Sequence, residues 1–193
     1  MTAAAAGGPL TGLKVVDLGQ VYLGPYCGLM FALMGAEVIK VEPPGGDTIR
    51  GIAGGRENPA AMMLNSSKQS VVLDLQSEEG RSALLALADN ADVLIENSRP
   101  GTMEKLGIGW ETLSARNPRL VMGSGKGYAA DSVYRDAPAM DFPIQALTGL
   151  MSVTGFPDGP PVKCGAAITD FLGGIHLFGG IMAALHARGA TGR

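Results

Sequence analysis

Short apolar runs and longer helical stretches succeed one another along the chain, and their order predicts its architecture. Lys14-Val15-Val16-Asp17-Leu18 has the composition of a buried strand, entered through Gly12 and left through Gly19. Pro25 suits the opening of a helix, which runs through Cys27, Leu29, Met30, Leu33 and Met34 until Gly35 ends it. Glu37-Val38-Ile39-Lys40-Val41 follows as a second strand. Two strands joined by a helix within about 30 residues predict a right-handed βαβ unit and a parallel sheet. The stretch from Glu42 to Asn65 is rich in Gly, Pro and Ala and reads as a long surface excursion. Ser70 to Leu75 predicts another strand, Ser77 to Ala88 a helix, and Asp92 to Glu96 a strand that leads into the loop Asn97 to Gly101. A short helix at Glu111 to Ala115 precedes a strand at Arg119 to Gly123. This alternation predicts an α/β fold with an open, doubly wound (Rossmann-like), mostly parallel sheet.

Composition narrows the class. With 193 residues, 46% hydrophobic and 17% charged, the chain fits one globular domain with a substantial core. Residues 1–9 are Ala/Gly-rich with no positive charge before an apolar run, so a flexible tail is expected rather than a signal peptide, with the domain over 10–193. Net charge is −3 and the basic residues are scattered, which gives no nucleic-acid footprint. Cys27 and Cys164 make no disulfide framework; Cys27 reads as core and Cys164 as a small hydrophobe. Ile168 to Ala187 approaches membrane-spanning length, but Asp170, His176, His186 and many small residues suit burial in protein better. Packed histidines and a cytoplasmic location, with no membrane partner, are therefore expected.

Doubly wound sheets bind ligands beyond the C-terminal ends of their strands. Here those positions are Gly19 to Pro25, Glu42 to Asp47, Asn97 to Gly101 and Ser124 to Tyr128. The dinucleotide fingerprint G-x-G-x-x-G is absent after the first strand, which disfavours a nicotinamide oxidoreductase. No P-loop, nucleophile elbow or zinc-type Cys/His cluster is present, and no metal is expected. Asp170 stands out because it opens the apolar helix predicted from Phe171 to about Leu185. Unpaired N–H groups and the helix dipole there favour its ionised form, which suits an acyl acceptor. Position alone favours the plainer reading, a helix N-cap, since caps far outnumber nucleophiles.

Several segments in order resemble the family III coenzyme A transferases, of the formyl-CoA transferase and CaiB-BaiF type. They are Gly12 to Leu18 with Leu23-Gly24-Pro25, Gly35 to Pro43 with Gly46-Asp47 and Arg50, Asn65, Lys68, Ser70 and Leu73-Asp74-Leu75. Ala91 to Asn97, Arg99-Pro100-Gly101, Leu106-Gly107, Asn117-Pro118, Ser124 to Tyr128 and Thr154 to Pro161 continue the series into the Asp170 segment. The resemblance implies transfer of CoA from an acyl-CoA donor to a carboxylic acid through an aspartyl-CoA thioester on Asp170. It implies no tightly bound cofactor, coenzyme A or acyl-CoA being the substrate. The likeness of Thr154 to Pro161 to formyl-CoA transferase tilts the acceptor toward small dicarboxylates such as oxalate, with succinyl, glutaryl and aromatic acids left open.

By the same resemblance, Val21, Tyr22, Leu23, Leu73, Gln76, Asn97, Ser98 and Lys105 fall on CoA-contacting positions. Gln76 replaces a Lys and Lys105 an Arg or another residue, while Pro43 and Pro138 stand where an Arg and a Lys are found. The related acyl-CoA racemases carry a His-Asp pair where this chain has Met140-Asp141, and a methionine moves no proton. Glycines near Asp170 are expected to bring backbone N–H groups to developing oxyanions. Family subunits are about twice as long and interlock as homodimers. The chain is therefore expected to hold an N-terminal, incomplete part of the large domain, with an alternative as a truncated, non-catalytic subunit or interaction module.

Overall fold

The computed structural model describes residues 7–52 and 58–192. Its strands are β1 (Lys14–Asp17), β2 (Glu37–Glu42), β3 (Gln69–Val72), β4 (Val93–Glu96) and β5 (Val121–Ser124). All pair in parallel, in the order β3-β2-β1-β4-β5. This is the doubly wound arrangement, and the direction of winding reverses between β1 and β4. Val93, Leu94 and Ile95 are fully buried, as β-branched and aliphatic side chains in a strand covered on both faces must be.

The helices are α1 (Leu23–Leu33), α2 (Thr48–Gly51), α3 (Pro59–Leu64), α4 (Glu78–Ala88), α5 (Thr102–Lys105), α6 (Trp110–Arg116), α7 (Asp141–Leu147) and α8 (Ile168–Thr191). One sheet face packs Val16, Val41 and Leu94 with Leu84 of α4, Met103 of α5 and Leu113 of α6. The other packs Val15, Val38 and Ile95 with Cys27 and Phe31 of α1 and Ile181 of α8. Arg188 anchors the far end of α8, donating to Asp92 Oδ1 at 2.9 Å and to the Arg119 carbonyl at 2.8 Å.

The βαβ unit, the helix expected over 77–88 and the doubly wound parallel sheet follow the sequence expectation, with differences that have local causes. The helix expected to open at Pro25 starts at Leu23, so the proline occupies the first turn, where its missing N–H costs nothing. The Ser77 start is right, and its hydroxyl accepts from Gly80 N–H at 3.0 Å. The strand expected over 70–75 ends at Val72 because Asp74 turns the chain, taking the Gln76 N–H at 2.9 Å. The 42–65 excursion is not wholly a surface loop: α2 and α3 lie within it, and Ile49, Ala61 and Leu64 form a small third core. Residues 53–57 of that stretch lie outside the described residues, as do residues 1–6 of the expected tail. Gly8, also in that tail, already packs on the Met34–Gly35 turn, where a Cβ would meet the Met34 carbonyl at 2.3 Å.

Helix α8 departs most from expectation. It is long and apolar enough to cross a membrane by length and composition, and the sequence predicted it buried. Within this chain only Gly174, Ile181 and Arg188 are buried along it, while Leu172 and Ile175 face outward. His176 and His186, expected to be packed, are exposed for the same reason: one side of α8 meets α1 and β5 and the other side is uncovered.

Candidate active site

Three strands end on a buried carboxylate: Asp17 on β1, Glu42 on β2 and Glu96 on β4. Each accepts an N–H from the loop that follows, Asp17 from Gly19 at 2.8 Å, Glu42 from Asp47 at 2.9 Å and Glu96 from Ser98 at 2.8 Å. Each is also paired with a cation from elsewhere, Lys68 at 2.8 Å, Arg50 at 2.7 Å and Lys126 at 2.7 Å respectively. A buried carboxylate persists only when paired and hydrogen-bonded, so these contacts fix where each strand-end loop departs. The Arg50 guanidinium holds Glu42 down to about 2. Burial pulls the Lys68 ammonium below the usual lysine value, against the pull of Asp17. Burial, with the Asp17 charge added, drives the Cys27 thiol far up, which makes it an inert core residue.

The loop between β1 and α1 is held at every residue from Gly19 to Val21. Asp17 takes the Gly19 N–H and the Lys40 ammonium bonds the Gly19 carbonyl. Asn97, just past β4, accepts from Gln20 N–H at 2.7 Å and donates back to the Gln20 carbonyl at 2.9 Å. Asp47 takes the Val21 N–H at 3.0 Å. Val21 sits at φ 65°, a left-handed conformation that a β-branched residue adopts only at a cost of about 1–3 kcal/mol. The loop doubles back so tightly that a Cβ on Gly24 would lie 2.5 Å from Gly19 Cα.

Asp170 is the third residue of α8 and is half-buried. Gly173 and Gly174 follow it one turn on, and a Cβ at either would meet Leu23, its side chain at 2.7 Å or its carbonyl at 2.8 Å. The absence of a Cβ at both lets α8 approach α1. Phe171 is clamped edge-on by Tyr22 and Tyr26, with ring centroids 5.7 and 4.8 Å away. Asp170 therefore faces the loop at which the winding reverses.

The sequence placed Asp170 among unpaired helix N–H groups that favour its ionised form; the structure corrects this. The helix is capped by Asp141, whose Oδ1 accepts from Thr169 N–H at 2.9 Å and from the Thr169 hydroxyl at 2.7 Å. Burial works against the Asp141 charge, but these bonds, the Gln145 amide and the Asp170 N–H hold its carboxyl below the usual range. Asp170 is left with the opposite balance: burial, and then the Asp141 charge, push its carboxyl up to about 6. At neutral pH roughly nine-tenths of it remains ionised. The N-cap alternative for Asp170 fails on the same geometry, because Ala167 is the N-cap residue and Asp141 supplies the capping carboxylate.

Two adjoining cavities meet at Asp170. One, about 360 Å³, is lined by Val21, Tyr22, Leu23, Asn97, Ser98, Met140 and Asp170 among others. The second, about 300 Å³, shares Leu23, Asn97, Ser98, Met140 and Asp170 and adds Lys126, Arg135 and the strand-end segment Gly125–Tyr128. Arg99 lines both. Five of the eight contact positions expected from sequence thus gather around Asp170. Leu73, Gln76 and Lys105 do not line these cavities. Leu73 packs against the core and Gln76 is exposed beyond β3, two strands from β1, while Lys105 is exposed at the end of α5. Sequence reasoning missed Lys126 and Arg99 as site residues although both lie just past strand ends, a signal that was available. Arg135 carried none. Cys164 is partly buried, and its N–H donates to Gln145 Oε1 at 2.9 Å.

An ionised carboxylate at the mouth of a cavity edged by three cations suits covalent chemistry on a polyanionic substrate. Residues 10–193 match the family described as CoA-transferase family III. An acetyl-CoA:oxalate CoA-transferase of Acetobacter aceti is 42% identical, the match covering 100% of this chain and 50% of that protein. A succinyl-CoA:mesaconate CoA-transferase of Haloarcula hispanica is also 42% identical, over 96% of this chain and 50% of that protein. Among solved structures, a CAIB/BAIF family protein from Brucella suis superposes with a TM-score of 0.90 at 37% identity, covering 97% of this chain and 51% of that one. The chain spans about half the length of the curated relatives it matches. Its sequence and its parallel sheet agree, and the chain belongs to CoA-transferase family III.

Proposed function

We propose that the protein transfers CoA from an acyl-CoA to a small carboxylic acid, with Asp170 as the covalent carrier. The observation that carries this reading is the Asp170 carboxylate, which lines both cavities with Arg99, one of them also with Lys126 and Arg135, and accepts no hydrogen bond among the described residues. An Asp170 oxygen attacks the thioester carbonyl; a C–O bond forms, the C–S bond breaks, and CoA leaves as thiolate with the electron pair. The thiolate attacks the Asp170 carbonyl of the mixed anhydride and expels the donor acid as carboxylate, leaving an aspartyl-CoA thioester. The acceptor carboxylate attacks that thioester and releases the thiolate, which then attacks the acceptor carbonyl and regenerates Asp170. No net proton is taken up. Arg99 and Arg135 suit the phosphates of CoA, Lys126 being tied to Glu96, and the held loop Gly19–Leu23 with Asn97 and Ser98 forms the wall beside the carbonyl.

Oxalate-type dicarboxylates are the favoured acceptors, in line with the relatives that act on oxalate. A racemase reading is weaker because Met140, with no acid or base, lines both cavities beside Asp170, and neither histidine lines them. Incubation with a panel of acyl-CoA thioesters followed by intact mass measurement tests the proposal. A CoA or acyl adduct on the wild-type chain that is absent from Asp170→Asn supports it; no adduct on the folded chain contradicts it.

A further inference from the structure

Asp141 lies 29 residues before Asp170 and on a different helix, yet it takes over the local role that Asp170's own position would assign to it. A helix N-terminus offers several N–H groups without intrahelical partners, and a carboxylate three residues in is a natural acceptor for them. In α8 the carboxylate that receives them arrives from α7. Asp141 Oδ1 accepts from the Thr169 N–H and hydroxyl, and Asp141 Oδ2 accepts from Gln145 Nε2 at 2.6 Å. Gln145, fully buried one turn along α7, also accepts the Cys164 N–H and so grips the segment that leads into α8. Both carboxylate oxygens of Asp141 are thus engaged, Oδ1 at the start of α8 and Oδ2 on Gln145.

We propose that Asp141 is the positioning residue of this site, capping α8 in place of Asp170 so that the Asp170 carboxylate stays free at the cavity mouth. The inference rests on Asp170 being the reacting carboxylate. Its consequence is electrostatic as well as geometric. A second negative charge held against α8 opposes ionisation of Asp170, and Lys163, 3.8 Å from Asp141 Oδ2 and partly exposed, offsets part of it. The other charged or titratable groups that line the cavities with Asp170 are Tyr22, Arg99, Lys126, Tyr128 and Arg135, and Tyr26 packs on the neighbouring Phe171. Burial and the Asp141 charge both raise the Asp170 carboxyl, and Asp141 is the one charged group acting on it in this way among the described residues. A carboxylate kept free and held near neutrality is a stronger nucleophile, once ionised, than one bound up as a cap.

The test is the titration of the Asp170 carboxyl followed by carbon-13 NMR in the full chain. Wild type is expected to titrate near pH 6. Asp141→Asn removes the charge while keeping an amide oxygen for the Thr169 N–H, so the Asp170 midpoint should move down. Should that variant fail to fold, Lys163→Gln decides the matter, because it alters an exposed side chain. With less of the Asp141 charge offset, the Asp170 midpoint should move up. A midpoint unmoved by the folded variant, or moved the other way, overturns the proposal. A purely structural cap would alter stability without shifting this titration. The measurement needs no acyl-CoA, so it tests Asp141 separately from the nucleophile.

Discussion

The Asp141 carboxylate accepts both the backbone N–H and the hydroxyl of Thr169, at 2.9 and 2.7 Å, and thereby ties α7 to the first turn of α8. Thr169 is the immediate neighbour of Asp170, so this contact sets both the direction and the electrostatic surroundings of the Asp170 carboxylate. A residue held in this way carries a stability cost that depends on pH.

Asp170 ionises near pH 6 in the folded chain against an ordinary value near 3.8. Between those values the folded state binds more protons than the unfolded state, so stability falls as pH rises through that window. The cost is complete above about pH 6 and absent below about pH 4. Asp170→Asn should therefore be more stable than wild type at pH 7.5, by about 1–2 kcal/mol once solvent screening is allowed for. The difference should vanish at pH 4. Urea unfolding at the two pH values checks this; an equal gain at both would show that ionisation is not its source.

Asn97→Ala removes both bonds to Gln20 and so the side-chain tie between the ends of β1 and β4. A loss of about 1–3 kcal/mol is expected, since two backbone groups lose partners. Calorimetry should also show weaker CoA binding, because the wall carrying Val21 to Leu23 loosens. Unchanged affinity would mean that the loop keeps its shape through Asp17, Lys40 and Asp47 alone.

Asp17→Asn leaves the Lys68 ammonium buried with its carboxylate partner gone, and should cost about 3–5 kcal/mol. Adding Lys68→Met should recover much of that, because the penalty comes from the unpaired charge. Denaturant midpoints of the single and double variants settle the sign. A double variant as unstable as the single one would place the loss in the Gly19 N–H that Asp17 also accepts.

The scaffold was largely legible in the sequence because its signals are local. The runs at Val15-Val16, Val38 to Val41 and Val93 to Ile95 are apolar strands bounded by turn residues, and each became a buried strand. Helix α3 was legible but overlooked: Asn58 caps it, accepting from Ala60 N–H at 2.9 Å, with Pro59 in its first position. The surrounding Gly/Pro richness masked that signal. The site was legible wherever a strand end carried it, as at Val21 to Leu23, Asn97 and Ser98. It was not legible where distant elements meet. The start of α8 taken alone favours an ionised Asp170, whereas burial, and then the charge of Asp141, 28 positions from Thr169, act in the other direction. The exposure of α8 was likewise invisible, since an apolar helix reads the same whether or not another surface covers it.

Covalent transfer through Asp170 is tested most directly by locating the adduct. The chain is incubated with a reactive acyl-CoA at pH 7.5, quenched with hydroxylamine, digested and sequenced by mass spectrometry. Hydroxylamine converts an aspartyl thioester or anhydride to a hydroxamate on the residue that carried it. The account predicts the hydroxamate on Asp170, forming with a pH midpoint near 6. Acylation confined to Cys164 or Lys126, with Asp170 unmodified, would contradict it.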